Sequence, residues 1–176
     1  GLPVAWSKDD NFDESTYRND ITRCCHAGVP GVYTGGTTGE FYAMELDEFK
    51  EITRVSIETC NDNLTPVMIG VSSTYTLGAR RRAEFAAKLG ADAIQTTLPY
   101  WMELSESQIV PFFQTVSDAA GHCPMSIYET TRSKHVLTLE QHQAIKDAIP
   151  NYIMVNLSFS FSLINHYLRI PNPNIH

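Results

Sequence analysis

The sequence lacks several features that would mark particular classes of protein. Its four cysteines contain no C-x-x-C pair, so we expect neither a metal site nor a disulfide framework, and each thiol is expected to be a small buried hydrophobe. No apolar run approaches the roughly 20 residues that cross a bilayer, and no basic leader precedes the first apolar residues. The sequence therefore predicts a protein without a membrane partner, in a reducing compartment such as the cytoplasm.

Positive charge is also scarce, since 13 Lys and Arg stand against 20 Asp and Glu and give a formal net charge of -7. This balance argues against nucleic acid as a partner, because phosphates attract basic proteins. Nucleotide-binding motifs are missing as well: Gly35-Gly-Thr-Thr-Gly39 fits neither G-x-G-x-x-G nor G-x-x-x-x-G-K-[ST]. We therefore expect no dinucleotide and no other cofactor.

Short apolar runs alternate with longer amphipathic ones, a pattern typical of α/β proteins. No signal of antiparallel pairing is present, which leaves an open doubly wound sheet and a closed (β/α)8 barrel as candidates. Periodicity alone does not separate the two. Six strands are predicted: Leu2–Trp6, Gly31–Tyr33, Pro66–Val71, Ala91–Leu98, Pro124–Tyr128 and Asn151–Val155.

This rhythm stops near Asn156. The segment 156–176 contains no acidic residue and ends in a Pro/Asn-rich string, which predicts a loose tail. We therefore divide the chain into one α/β domain over residues 1–155 and an aberrant tail over residues 156–176.

Polar and aromatic side chains follow three of the predicted strands. Thr37 and Thr38 follow the second strand, Tyr100 follows the fourth, Tyr128 closes the fifth, and Arg132 comes shortly after it. In a barrel these strand ends converge on one mouth. A tyrosine that is hydrogen-bonded to a threonine can pass a proton to a carbonyl substrate, and an arginine can clamp a carboxylate. The alternative interpretation is that they are ordinary strand and turn residues.

Three landmarks resemble the dihydrodipicolinate synthase/N-acetylneuraminate lyase family. They are the run Gly36-Thr-Thr-Gly-Glu40, the run Leu98-Pro-Tyr100, and Tyr128 at the end of its strand. The resemblance covers roughly residues 1–155 and implies a (β/α)8 barrel, usually homotetrameric. Its members are class I aldolases and lyases that act on 2-keto acids such as pyruvate, through a Schiff base on a lysine of the sixth strand.

The resemblance also implies roles for individual residues. Tyr128 is expected to relay a proton, while Thr37 and Thr38 are expected to bind the substrate carboxylate and to orient Tyr128. No metal is expected. The substrate-binding residues are expected to be Gly36, Thr37, Thr38, Tyr100 and Arg132.

Two positions depart from the family pattern. The second aromatic after Pro99, often tyrosine in the family, is Trp101, which has no acidic hydroxyl. The position of the Schiff-base lysine holds Asn156, and an amide cannot form an imine. Lys134 could substitute from the mouth of the barrel, although lysines are usually solvated.

The lost lysine, the broken rhythm and the absence of two further strands coincide near residue 156. We therefore expect an incomplete barrel of about six βα units, truncated for example by a misread splice site or a frameshift. The sequence predicts an aldolase or lyase of pyruvate-type 2-keto acids, impaired by Asn156. One alternative is a catalytically dead remnant that serves as a keto-acid binding or interaction module, and another is an unrelated enzyme of open α/β fold.

Overall fold

The structure, a computed structural model, describes residues 1–158 and is built on a five-stranded sheet. All four strand pairs are parallel, and the strands lie in chain order. An open doubly wound sheet would reverse its strand order at a switch point. The sequential order is therefore that of a barrel wall. The strands are Val32–Thr34 (β1), Val67–Gly70 (β2), Ala93–Thr96 (β3), Met125–Glu129 (β4) and Tyr152–Leu157 (β5).

Five helices alternate with the strands, and all but the third begin at a side chain that caps them. They are Glu14–His26 (α1), Leu46–Asp62 (α2), Thr76–Lys88 (α3), Glu106–Ala120 (α4) and Leu139–Ala148 (α5). Three of these helices begin at the Asp, Ser and Thr residues that are typical of N-caps. Asp13 accepts a hydrogen bond from the Thr16 amide, and capping boxes at Ser105 and Thr138 open α4 and α5. Within residues 1–158, no helix combines the length and the apolar character that a membrane crossing requires.

The core lies between the helices and one face of the sheet. Ile69, Ile94 and Ile127 of the three central strands are buried, as are Phe113 of α4 and Ile145 of α5. Each fully buried side chain of this size contributes about 1.5–3 kcal/mol to folding. Because strand residues alternate between faces, their neighbours point to the opposite side of the sheet, the inner side of the barrel wall.

The first predicted strand, Leu2–Trp6, is wrong. This segment lies beside β1 through a single backbone hydrogen bond, from Leu2 N to Tyr33 O at 3.1 Å, and Trp6 forms only an isolated antiparallel bridge with Phe12. Pro3 has no N–H with which to continue a ladder.

The other five predicted strands are present, so the incomplete barrel is confirmed with five described strands instead of about six. β5 runs to Leu157 and passes through Asn156, where the tail was predicted to begin. The remainder of the predicted tail, 159–176, lies outside the described residues.

Candidate functional site

A cavity of about 170 Å³ opens beyond the carboxyl ends of β1, β3 and β4. Its walls come from the loops that follow these three strands, so the strand ends converge as they do in a barrel. Four of the predicted site residues, Thr37, Tyr100, Tyr128 and Arg132, line it together. The other lining residues are Phe41, Tyr42, Thr97 and Thr130.

The adjacent threonines of the glycine-rich turn face different surroundings. Thr37 and Thr38 lie in a short 3-10 turn, Thr37–Gly39, and both are exposed. Thr37 lines the cavity. Thr38 does not, and its Oγ1 lies 3.5 Å from the position that a Cβ would take on Gly1. The structure thus brings only the first of the two predicted hydroxyls to the cavity.

Gly36, also predicted to bind substrate, is buried and does not line the cavity. It packs against the ring of Tyr33, whose hydroxyl also lies 3.0 Å from the position of a Cβ built on Gly70. Burial raises the pKa of Tyr33, and the charge of the nearby Tyr128 raises it further. Tyr33 is therefore a partly buried phenol with a raised pKa, close to Tyr128, that the sequence pattern did not single out.

Tyr128 is half-buried at the end of β4. Among residues 1–158, no hydrogen bond joins its hydroxyl to that of Thr37 or Thr38, so the predicted tyrosine–threonine relay is not formed directly. Thr37 and Tyr128 instead line the same cavity, where a bound carbonyl compound can bridge two such groups.

Tyr100 and Arg132 bring an aromatic wall and a positive charge. The Tyr100 ring packs edge to face on Phe41, with the ring centroids 5.7 Å apart, and burial raises the pKa of Tyr100. Arg132 lies in the short turn Thr131–Ser133, where its backbone N–H donates to Thr130 Oγ1 at 3.3 Å. Its side chain is exposed and forms no ion pair with any carboxylate in the described part of the chain. The guanidinium is therefore available to an anion.

The predicted position of the Schiff-base lysine lies beside Tyr128. Asn156 on β5 is the register partner of Tyr128 on β4, so their side chains project from the same face of the sheet. Lys134 does not line the cavity; its Nζ donates to the carbonyl of Trp101 at 2.6 Å and lies 6.0 Å from the centre of the Trp101 ring. No lysine of the described residues lines the cavity. Within the same residues, no group of three or more His, Cys, Asp or Glu is placed to hold a metal ion.

Four lining residues escaped the sequence analysis. Thr97, directly after β3, keeps its hydroxyl buried without a hydrogen-bond partner among residues 1–158. The polar run Gln95-Thr-Thr97 in a buried strand was the available signal. Phe41 and Tyr42 follow the G-T-T-G-E run directly, and an exposed aromatic pair after a turn is a comparable signal. Thr130 follows Tyr128 closely and had no distinguishing pattern.

Comparison with known proteins agrees with this geometry. The chain matches the model of the dihydrodipicolinate synthetase family over residues 2–162. It is 31% identical over 121 residues to 4-hydroxy-tetrahydrodipicolinate synthase of Sulfurimonas denitrificans, which covers 69% of this chain and 41% of that protein.

Two solved structures show the same fold. Dihydrodipicolinate synthase from Aquifex aeolicus has a TM-score of 0.89 at 18% identity, over 98% of this chain and 59% of that one. A catalytic lysine mutant of the Ruminococcus gnavus sialic acid aldolase has a TM-score of 0.87 at 23% identity, over 94% of this chain and 54% of that one. The chain spans about half the length of the curated relatives it matches.

Proposed function

The chain belongs to the dihydrodipicolinate synthetase family, and from this premise we propose that it binds a pyruvate-type 2-keto acid in the cavity between Thr37 and Tyr128. The related proteins are, by name, a synthase and an aldolase. In the proposed complex, Thr37 and Arg132 hold the substrate carboxylate and Tyr128 addresses the keto oxygen. Tyr100 forms the side wall.

The charges around the cavity support an anionic ligand. The protein carries a net charge of -7, yet Arg132 brings to the cavity a cation that has no ion-pair partner among residues 1–158. A guanidinium binds a carboxylate through two parallel hydrogen bonds, which fixes the orientation of the acid as well as its position. A volume of about 170 Å³ holds five or six water-sized groups at ~30 Å³ each, so a three-carbon keto acid fits.

The observation that carries the proposal is the pairing of Tyr128 with Asn156. In a class I aldolase, a lysine amine attacks the keto carbon, water leaves, and the resulting imine withdraws electrons from the bond that breaks or forms. The family resemblance assigns that lysine to position 156, within reach of the tyrosine that moves the proton. The lone pair of the Asn156 amide nitrogen is delocalised into its carbonyl, so it does not attack. We therefore propose that the Schiff-base chemistry of this chain is impaired while its keto-acid pocket is kept.

A second candidate function is a keto-acid binding or interaction module without lyase chemistry. It is favoured by the finding that no lysine among residues 1–158 lines the cavity. The two candidates differ in one measurable property, which is whether a covalent adduct with the keto acid ever forms on the natural chain.

Borohydride trapping tests both candidate functions. Borohydride reduces an imine to a stable amine, so each imine formed with pyruvate leaves a covalent adduct on the protein. After incubation with pyruvate and borohydride, the mass of the intact protein gives the number of adducts. We expect no adduct on the natural chain and one adduct on Asn156→Lys. Ile153→Lys is the matched control, because it adds a lysine to an exposed position of β5 that has no register partner on β4, three residues before the partner of Tyr128, and should give no adduct.

Pyruvate affinity is measured in parallel by calorimetry. An adduct on the natural chain would overturn the impairment and favour an active lyase. Binding without an adduct, even after Asn156→Lys, would contradict the assigned lysine position. Absence of any binding to the natural chain would refute the keto-acid site itself.

A further inference from the structure

One hydroxyl of the cavity wall has no partner and no part in the keto-acid complex described above. Thr97 lines the cavity and is only 3% exposed, and its Oγ1 is buried without a hydrogen bond to any group of residues 1–158. The Thr97 backbone is held in place, since its amide donates to Ser72 Oγ at 3.1 Å. Burial of a hydroxyl without a hydrogen bond destabilises a folded protein, so such a group in the wall of a cavity points to a ligand that completes it.

The register of the sheet places Thr97 beside Tyr128. Gln95 of β3 and Ser126 of β4 are register partners, and their side chains are hydrogen-bonded at 3.1 Å. Thr97 and Tyr128 follow two positions further along the two chains, where side chains return to the same face, and both line the cavity. Asn156 of β5 is the register partner of Tyr128 on its other side. Tyr128 therefore stands between Thr97 and Asn156.

The arms of a bound keto acid determine what Thr97 meets. The keto carbon carries three groups, which are the keto oxygen, the carboxylate and the remaining carbon chain. Tyr128 addresses the oxygen, and Thr37 and Arg132 hold the carboxylate, so the carbon chain is left for the Thr97 side of the cavity. Thr130, the other threonine of the wall, already accepts a hydrogen bond from the Arg132 amide at 3.3 Å. Thr97 is thus the threonine that remains for the carbon chain.

We propose, on the basis of this keto-acid site, that Thr97 is a specificity-determining residue that binds a hydroxyl on the third carbon of the acid. The preferred ligands are then 3-hydroxy-2-keto acids and not pyruvate. A threonine hydroxyl both donates and accepts, so it pairs with another hydroxyl in either direction. Rotation about χ1 exchanges the positions of its hydroxyl and methyl groups, and this rotation breaks no hydrogen bond because Oγ1 has none.

The test uses two acids that differ by one group. Hydroxypyruvate is pyruvate with a hydroxyl on its third carbon, so the ratio of the two dissociation constants measures recognition of that hydroxyl. In calorimetric titrations, the natural chain should bind hydroxypyruvate about fivefold or more tighter than pyruvate, the scale of one hydrogen bond. Thr97→Val, which keeps the shape and removes the hydroxyl, should bring the ratio to about one. Thr97→Ser should keep the preference.

Melting temperatures separate recognition from a structural role. Thr97→Val replaces an unpartnered buried hydroxyl by a methyl group, so it should melt at the same temperature as the natural chain or higher. Thr96→Val is the matched control, because Thr96 is buried outside the cavity and its Oγ1 donates to the Thr97 carbonyl at 3.3 Å. This variant should melt at a lower temperature and keep the preference for hydroxypyruvate.

Three outcomes would overturn the assignment of Thr97. Equal affinity of the natural chain for the two acids would overturn it alone and leave the keto-acid site standing. A preference that survives in Thr97→Val, together with a lower melting temperature, would show that the hydroxyl is structural and that another group reads the ligand. If the natural chain binds neither acid, the keto-acid site fails and the role of Thr97 fails with it.

Discussion

A Cβ atom on Gly36 would lie 2.5 Å from Cε1 of Tyr33, so the Tyr33 ring occupies the space that a side chain at position 36 would need. The backbone of Gly36 has a φ of -92°, which any residue adopts. Contact with the ring, and not backbone strain, is therefore what requires glycine here. Since Thr37 follows directly, the packing of Tyr33 on Gly36 determines where the threonine hydroxyl is held.

Replacement of Gly36 by alanine tests this contact. We expect Gly36→Ala to lower the free energy of unfolding by about 1–3 kcal/mol, the usual cost of forcing an extra methyl into a packed site. Urea denaturation measures the loss. The control is the same substitution in a Tyr33→Ala background, where the ring is gone and the added methyl should cost much less. An equal cost in both backgrounds would show that Tyr33 is not the obstacle.

The partly buried phenol of Tyr33 should make the free energy of unfolding depend on pH in the alkaline range. Its folded-state pKa is raised above the ordinary value of 10 by burial and then by Tyr128, so the folded protein keeps the proton longer than the unfolded chain does. The contribution of the protonated Tyr33 phenol to the free energy of unfolding is complete below about pH 10. It is lost as pH rises above that value, at up to about 1.4 kcal/mol per pH unit.

Tyr33→Phe removes the titrating group and leaves the ring. In urea titrations between pH 8 and pH 11 (values set around the ordinary tyrosine pKa of about 10), the natural chain should lose stability more steeply than the variant. Other buried phenols and thiols contribute equally to both proteins, so the difference isolates Tyr33. Parallel curves would mean that the Tyr33 phenol titrates normally.

The barrel wall could be predicted from the sequence because its signals are local. Apolar runs such as Pro66–Val71 are typical of strands buried on both faces, and caps such as Asp13 and Thr138 mark helix starts. The strand predicted at Leu2–Trp6 failed for a non-local reason, since a strand needs a partner that supplies a continuous ladder, and this segment has one hydrogen bond to β1.

The site could be predicted in part, because some of its signals are also local. Residue types at strand ends identified Thr37, Tyr100, Tyr128 and Arg132, which the structure brings to one cavity. Thr37 lines the cavity and Thr38 does not because of the geometry of the short turn between two glycines. The sequence alone does not show which of two adjacent side chains such a turn directs to the cavity.

The two threonines offer a matched pair of substitutions for ligand binding. We expect Thr37→Val to weaken pyruvate binding by about tenfold or more, since a hydrogen bond to a charged group contributes about 1.5–3 kcal/mol. Thr38→Val should change the affinity less than about twofold, because Thr38 lies outside the cavity. Calorimetric titration of both variants measures the difference. Equal losses would indicate that the whole turn, and not the Thr37 hydroxyl, contacts the acid.

Arg132 provides the last prediction, because its role depends on shape as well as on charge. The side chain is exposed and unpaired in the described part of the chain, so its replacement should leave the unfolding free energy within about 0.5 kcal/mol. Arg132→Gln should weaken pyruvate binding by about tenfold or more, whereas Arg132→Lys, which keeps the charge and loses the planar fork, should give an intermediate loss.

Arg81→Gln, an equal change of charge at an exposed position of α3, is the control and should bind pyruvate as the natural chain does. Added salt should weaken pyruvate binding to the natural chain more than to Arg132→Gln, because screening acts on the charge that the variant has lost. If Arg132→Gln bound pyruvate normally, the carboxylate would have to be held by the Thr37 turn alone.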